Sequence, residues 1–206
     1  MDATLAGPRG NAISGQRSDA RTVFGDLYPQ LTLKWNHEVH NFLAYATGNV
    51  PIGAYNPNRL ANLGIGHGAM DAGGGYTYLN PKTGLEFSTV LGVTYNFENP
   101  DTKYKNGVNL HLDWGASYFI REQVHVGAVG YLYNQITDDS GLGAKLGGFR
   151  SRVAGLGPQV GYMFAVGERV KGYLNVKAYG EFAEQNRPAG WNAWVTLSFS
   201  LAEPHR

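Results

Sequence analysis

The sequence predicts an all-β fold, an antiparallel up-and-down transmembrane β-barrel. Three observations carry that expectation. Apolar and polar side chains alternate with period two along several segments, the mark of a strand with two unlike faces. The connections between these segments alternate between short and long. The composition is rich in glycine (29 of 206 residues) and in aromatics (13 Tyr, 9 Phe, 4 Trp), while charged residues make up only 16%. That is well below the usual quarter.

The elements follow in chain order. Leu27, Leu31, Leu33 and Trp35 oppose Tyr28, Gln30, Thr32 and Lys34, giving a strand over 26–36. Strands at about 40–50 and 69–79 are less regular. In the second, Gly73, Gly74 and Gly75 leave room for close backbone approach, a sharp bend or a bulge. Leu85, Phe87, Leu91, Val93, Tyr95 and Phe97 then oppose Glu86, Ser88, Thr94 and Asn96. The cleanest alternation sets Val108, Leu110, Leu112, Trp114, Ala116 and Tyr118 against Asn109, His111, Asp113, Gly115 and Ser117. Strands at about 125–136 and 152–165 follow, the latter carrying Gly155, Gly157 and Gly161. Leu174, Val176, Ala178 and Phe182 oppose Tyr173, Asn175, Lys177, Tyr179 and Glu181. The last strand sets Trp191, Ala193, Val195, Leu197, Phe199 and Leu201 against Asn192, Trp194, Thr196, Ser198 and Ser200. These are nine strands, or ten if Met1–Ala6 is the tail of an earlier one.

Short turns are expected at 36–40, 80–84, 120–124 and 166–169, and long polar loops at 51–68, 98–107, 137–151 and 184–190. Outer-membrane barrels have short periplasmic turns and longer outside loops, so the alternation assigns each strand a direction. The last strand descends, and Gly7–Gly25 becomes a further outside loop. Nine strands starting outside do not close the usual even-numbered barrel. The expectation is one domain over 1–206 that is the C-terminal part of a larger barrel, its signal peptide and first strands missing. The turn at 80–84 permits two pairings, which exchange the faces of Tyr76 and Tyr78.

Composition excludes several function classes. No apolar run approaches the eighteen or so residues of a membrane helix. A formal charge of +1 with scattered basic residues offers no stripe for a phosphate backbone, so nucleic acid is not an expected partner. Without cysteine there are no disulfides or thiolate metal sites. Alternation alone also fits a soluble sandwich. The clearest apolar faces, however, carry no Lys or Arg, and Tyr28, Trp35, Tyr95, Phe97, Tyr118, Phe164, Trp191 and Phe199 near strand ends match interfacial aromatic girdles.

Several runs carry a family likeness. They are Gly25–Gln30, Pro57–Gly68, Thr94–Thr102, Leu110–Ser117, Ser151–Tyr162 and Asn186–Asn192. They resemble the MetA-pathway of phenol degradation family across nearly the whole chain. The resemblance implies a bacterial outer-membrane barrel and transporter, encoded in some members near genes for aromatic catabolism. It implies no catalytic residues.

Period two names the side chains expected to face the lumen. They include Lys34, Glu86, His111, Asp113, His125, Tyr131, Tyr133, Gln159, Lys177, Tyr179 and Glu181, with Gln30, Thr32 and Asn109 beside them. Their mixed charges fit either a polar network filling the lumen or a ligand path. A regular hairpin at 166–169 sets Gln159 opposite Lys177, and Tyr131, Tyr133 and Tyr179 could pass an apolar ring. His37 and His40 flank a turn with only Glu38 between them as a further ligand type, too little for a metal site. His67, in a glycine-rich loop at 64–68, lacks the strand-to-helix context of a phosphate loop. Ser88, Ser117 or Ser198 near His111 would be needed for a lipid hydrolase, but no nucleophile motif supports one. The expected function is passive uptake of small hydrophobic or aromatic compounds across the outer membrane, with no cofactor and with lipid and solute as partners. A structural or interaction barrel without transport is the alternative.

Overall fold

A computed structural model of the chain describes residues 2–6, 12–16, 20, 22–167 and 169–201. All regular structure among them is β. Strands β1 (Asp2–Ala6) and β2 (Ala12–Gln16) form a two-stranded sheet. A nine-stranded antiparallel sheet contains β3 (Gln30–His37), β4 (His40–Asn49), β5 (Ala69–Asn80), β6 (Leu85–Asn96) and β7 (Asn109–Arg121). It continues through β8 (Val124–Gln135), β9 (Arg152–Val166), β10 (Val170–Gln185) and β11 (Trp191–Leu201), every strand pairing with its sequence neighbours.

The nine strands expected from periodicity are the nine of this sheet. The N-terminal expectation needs correction. Ala12–Gln16 is a strand paired with Asp2–Ala6, so the segment 7–25 is not one continuous outside loop. Met1, 7–11, 17–19 and 21 lie outside the described residues. The first strand of the large sheet starts its ladder at Gln30 rather than Asp26, and the reason is local. Leu27 still bridges Val50 in the same register, but Pro29 has no N–H to donate. Its carbonyl instead accepts from the Thr47 hydroxyl at 2.8 Å.

The glycine run 73–75 is not a bulge, since the β4–β5 and β5–β6 registers pass through it unbroken. Bulges lie elsewhere, between Phe119 and Arg121 and between Phe182 and Gln185. At the second, Ala183 takes a left-handed φ of 55°, the kind of strain a bulge concentrates. The register also fixes Tyr76 and Tyr78. Both face outward, opposite Phe42 and His40, and the His40 Nδ1 meets the Tyr76 hydroxyl at 2.8 Å.

Registers sort every side chain to one of two faces. One rung on the outer face runs Leu33, Ala44, Gly74, Leu91, Leu112, Leu132, Ala154 and Phe182. These side chains have no second layer over them, because each strand touches only its hydrogen-bonded neighbours, apart from β8 and β10. Leu33, Leu91 and Leu132 are accordingly 54%, 48% and 49% exposed. The buried set is mostly polar, with Asn49, Asn96, Ser117, His125, Gln135 and Asn175 among it. A soluble sandwich buries its apolar face in a shared dry interior, and this sheet does the reverse. So large a contiguous apolar surface requires an apolar surrounding. Strands β4 to β11, of 10 to 16 residues, are long enough to cross one when tilted.

The aromatic girdles fall at both ends. Tyr95, Phe97 and Trp191 lie at the long-loop end, and Trp35, Tyr118, Phe164 and Phe199 toward the short turns, whereas Tyr28 falls on the parity opposite to Leu27 and outside the girdle. Tyr95 meets Phe97 edge-on at 5.4 Å, and Phe164 meets Phe199 at 6.2 Å.

Candidate functional site

The inner face is concave, which follows from contacts between side chains on strands that are not neighbours. Glycines on the intervening strands make those contacts possible. Tyr45 (β4), Gly73, Gly92 and His111 (β7) share one rung. The Tyr45 hydroxyl lies across both glycines to approach His111 Nε2 at 3.5 Å. A Cβ on Gly92 would sit 2.0 Å from that hydroxyl. His111 Nε2 also meets Asp71 Oδ2 at 2.8 Å, and the Thr94 hydroxyl donates to the same carboxylate. Asp113, mostly exposed, is 4.0 Å from His111 Nδ1.

A second group uses the same device. Tyr131 passes over Gly155, whose Cβ would strike its ring, and donates to the Glu181 carboxylate two strands away. Glu181 also accepts from the Gly190 N–H at 2.8 Å, tying the last long loop to the wall. The Tyr131 and Tyr179 rings meet edge-on at 5.1 Å. Tyr133 donates to Asn109 Oδ1 at 2.9 Å, and the Arg187 guanidinium lies 5.2 Å over its ring.

The third group lies toward the short turns. Gln159 Nε2 donates to Ser117 at 2.7 Å, and Asn175 donates to Gln159 Oε1 at 3.3 Å. Ser88 bridges Glu86 and Thr77. His125 Nε2 meets the Tyr173 hydroxyl at 2.9 Å, with its ring stacked on Tyr173 and tilted against Phe119. A cavity of about 360 Å³ opens here, lined by Glu86, Asp113, His125, Gln159, Lys177 and Tyr179 among others.

All eleven lumen candidates therefore share the concave face, and six of them line one cavity. Gln159 does sit opposite Lys177. Tyr131 and Tyr179 meet, while Tyr133 turns to Asn109 and Arg187. Lys34, on the exposed edge strand β3, has no side-chain partner among the described residues. Sequence reasoning left out Tyr45, Asp71, Tyr173, Asn175 and Arg187. Tyr173 and Asn175 share the parity of Lys177 and were legible. Tyr45 lies in β4, where inward Leu43 and outward His40 blur the alternation, and Asp71 in β5, where the glycines erase it. Their face became readable only from the register. His111 faces Asp71 and Asp113, whereas Ser88 and Ser117 are bonded to other partners, so no Ser–His pair forms at His111. Among the described residues no group of three or more His, Asp or Glu converges as metal ligands.

Two carboxylates order the long loops. Asp26 accepts from the N–H of Gly53 (2.8 Å) and Ile65 (2.9 Å) and from the Asn49 amide (3.0 Å). Burial acts to raise its pKa, but the donors outweigh it and hold the carboxyl below the ordinary value. Asp139 accepts from Gly107 N–H (3.0 Å), Gln135 Nε2 (2.7 Å) and the Tyr104 hydroxyl. Desolvation, with the Asp139 hydrogen bond second, pushes the Tyr104 phenol up to about 12.

An antiparallel meander with apolar side chains outside, a polar concave wall inside, short turns at one end and ordered loops at the other is a transmembrane β-barrel wall of the bacterial outer-membrane type. The profile of the family described as "Putative MetA-pathway of phenol degradation" matches residues 2–197, and the chain belongs to that family. The crystal structure of an outer membrane channel from Pseudomonas putida F1 superimposes with a TM-score of 0.69 at 14% identity, over 87% of this chain and 67% of that one. At that identity the likeness shows a shared fold. No curated protein matches the chain in sequence.

Proposed function

We propose that this protein is an outer-membrane channel admitting small hydrophobic or aromatic molecules by passive diffusion, without catalysis. The observation that carries the reading is the concave cavity of about 360 Å³, a size typical of small-molecule sites, lined by aromatic and polar side chains together. Tyr173, half-buried, offers ring surface there, with the edge of the buried Tyr179 beside it, while hydrogen bonds hold the neighbouring polar groups to the wall. Loops 51–68 and 137–151, braced by Asp26 and Asp139, form the outer mouth on this reading.

A liposome-swelling or uptake assay on the intact protein tests it. Flux of aromatic solutes above that of protein-free vesicles is the expected result, and no flux for any aromatic solute abandons the transport reading. The extent of the wall's hydrogen bonding favours one second reading, a structural or interaction barrel. That reading predicts no flux, and a pull-down that recovers an envelope partner.

A further inference from the structure

The concave face groups its charges by strand, an acidic stretch on β5–β7 standing between Lys34 on the edge strand β3 and two lysines on β10. Registers place Asp71 on β5, Glu86 on β6 and Asp113 on β7 inside; the one basic residue of these three strands, Arg121, ends β7 beyond the bulge and pairs with outward Val124. On β8 and β9, the inward positions carry no carboxylate, lysine or arginine. Lys177 and Lys171 point inward from β10. Glu181, the inward carboxylate on β10, lies two rungs nearer the loops and is engaged by Tyr131 and the Gly190 N–H.

Glu86 and Lys177 belong to one rung, Glu86–Ser117–Gly127–Gln159–Lys177. Four strand spacings separate them, roughly 19 Å along the arc. Both line the same cavity, with Asp113 on the acidic side. No described carboxylate lies within 4 Å of Lys177, whose ammonium sits 5.7 Å over the Tyr179 ring. The acidic wall and the lysine therefore face one another across the opening rather than neutralising one another along the wall.

We propose that the waist of this channel is electrically polarised across its width and selects aromatic solutes with a donor or cationic group at one end and an acceptor or anionic group at the other. This deepens the channel reading and rests on it. A solute of that kind crosses the waist broadside. Its acceptor end meets Lys177, its donor end meets Glu86 and Asp113, and its ring passes the Tyr179 edge. Entering a narrow pore strips water from both ends, and here each end finds a fixed counterpart. A solute with one charge finds one attractive wall and one repulsive wall. A hydrocarbon gains nothing from the field.

The test uses the intact protein in lipid vesicles and three probes of matched size: 4-(aminomethyl)benzoate, 4-ethylbenzoate and 4-isopropylbenzylammonium. The dipolar probe is expected to cross about ten-fold faster than either singly charged one. Lys177→Met and Glu86→Gln should each reduce that preference several-fold, and the exchange Glu86→Lys with Lys177→Glu should recover more of it than either reversal alone. Lys82→Met, in the short turn after β5, should leave it unchanged. Resistance of the folded barrel to detergent at room temperature shows that each variant is folded. If one fails that check, the other single substitution decides the matter. Equal rates for the three probes, or an unchanged ratio in folded Lys177→Met or Glu86→Gln, overturns the polarised waist while leaving a channel. Flux of these probes no greater than through protein-free vesicles overturns the channel itself.

Discussion

Gly161→Ala tests whether inner-face glycines are seats for neighbouring side chains. Gly161 lies on β9 directly opposite His125, and a Cβ there would sit 1.9 Å from His125 Nε2 and 2.5 Å from the nearest ring carbon. The ring has little freedom to yield. His125 is 4% exposed, its ring centroid lies 5.0 Å from that of Phe119, and it stacks on Tyr173 at 15°. Overpacking of this kind costs about 1–3 kcal/mol. Displacing the ring also breaks its hydrogen bond to Tyr173, about 0.5–1.5 kcal/mol. The lower chain entropy of alanine in the unfolded state offsets about 0.4–1 kcal/mol. The net expectation is a loss of about 0.5–4 kcal/mol, read as a lower urea midpoint by tryptophan fluorescence of the intact protein in lipid vesicles. Gly180→Ala is the matched control. Nothing lies within 4 Å of a Cβ at that outward position, so the entropy gain should stand alone as slight stabilisation. In a His125→Ala background the clash has no partner, and the Gly161→Ala penalty should shrink by most of its value. An undiminished penalty in that background would refute the seat, as would equal effects at Gly161 and Gly180.

The lipid-facing assignment predicts that Leu132→Arg, on an outward position already half exposed, lowers stability in vesicles by about 2–4 kcal/mol; in a water-facing site the same change would be near neutral. Asp26→Asn leaves one amide oxygen to serve three donors, so loop 51–68 should loosen and trypsin should cut after Arg59 faster, while an unchanged rate would remove Asp26 as the clamp. Because the folded Asp26 carboxyl is held below its unfolded value, its contribution is complete above the ordinary carboxylate range and fades as pH falls through the depressed pKa. Hydrogen exchange at Gly53 and Ile65 should show extra opening only at that acid end. Tyr104 has the opposite sign. Its contribution is whole below pH 10 and lost as pH rises through about 12, so the ultraviolet difference between the wild type and Tyr104→Phe should show one phenol ionising near 12.

The outward face was legible in the sequence because its selection is simple. Lipid accepts almost any apolar side chain, so Leu, Val, Phe and Trp recur at every second position of β6, β7, β10 and β11 whatever the local packing. The inward face obeys no such uniform rule. On it Tyr45, Gly73, Gly92 and His111 form one unit, yet one of its glycines falls on β5 and the other on β6, where each reads as a weak strand residue. Their meaning is relational: a missing side chain on one strand makes room for a large one on the next. No window along a single strand contains that information. The same holds for Asp71, which period two could not place until the pairing of β5 with β4 and β6 was known. At the N-terminus, 7–25 reads as loop because Ala12–Gln16 has no strong alternation and a single large apolar residue, Ile13.

The two faces also divide the tasks that a channel wall must combine. A lumen wide enough for a solute cannot be held open by a packed apolar core, because the interior positions must remain partly solvated. Cross-strand hydrogen bonds seated over glycines, from Tyr45 to His111, Tyr131 to Glu181 and Gln159 to Ser117, hold the inward side chains flat along the wall instead. Such a lattice consumes polar groups. Lys177 and Asp113 are left outside it: Lys177 reaches only an aromatic face, and Asp113 is mostly exposed at 4.0 Å from an imidazole. The side chains that hold the wall open and those available to a passing molecule are therefore largely different residues, with Glu86, which also accepts from Ser88, serving in both. Removing a lattice member should change stability before selectivity, and removing Lys177 should change selectivity before stability. A Lys177→Met barrel whose urea midpoint falls as far as that of Tyr131→Phe would show that this division does not exist.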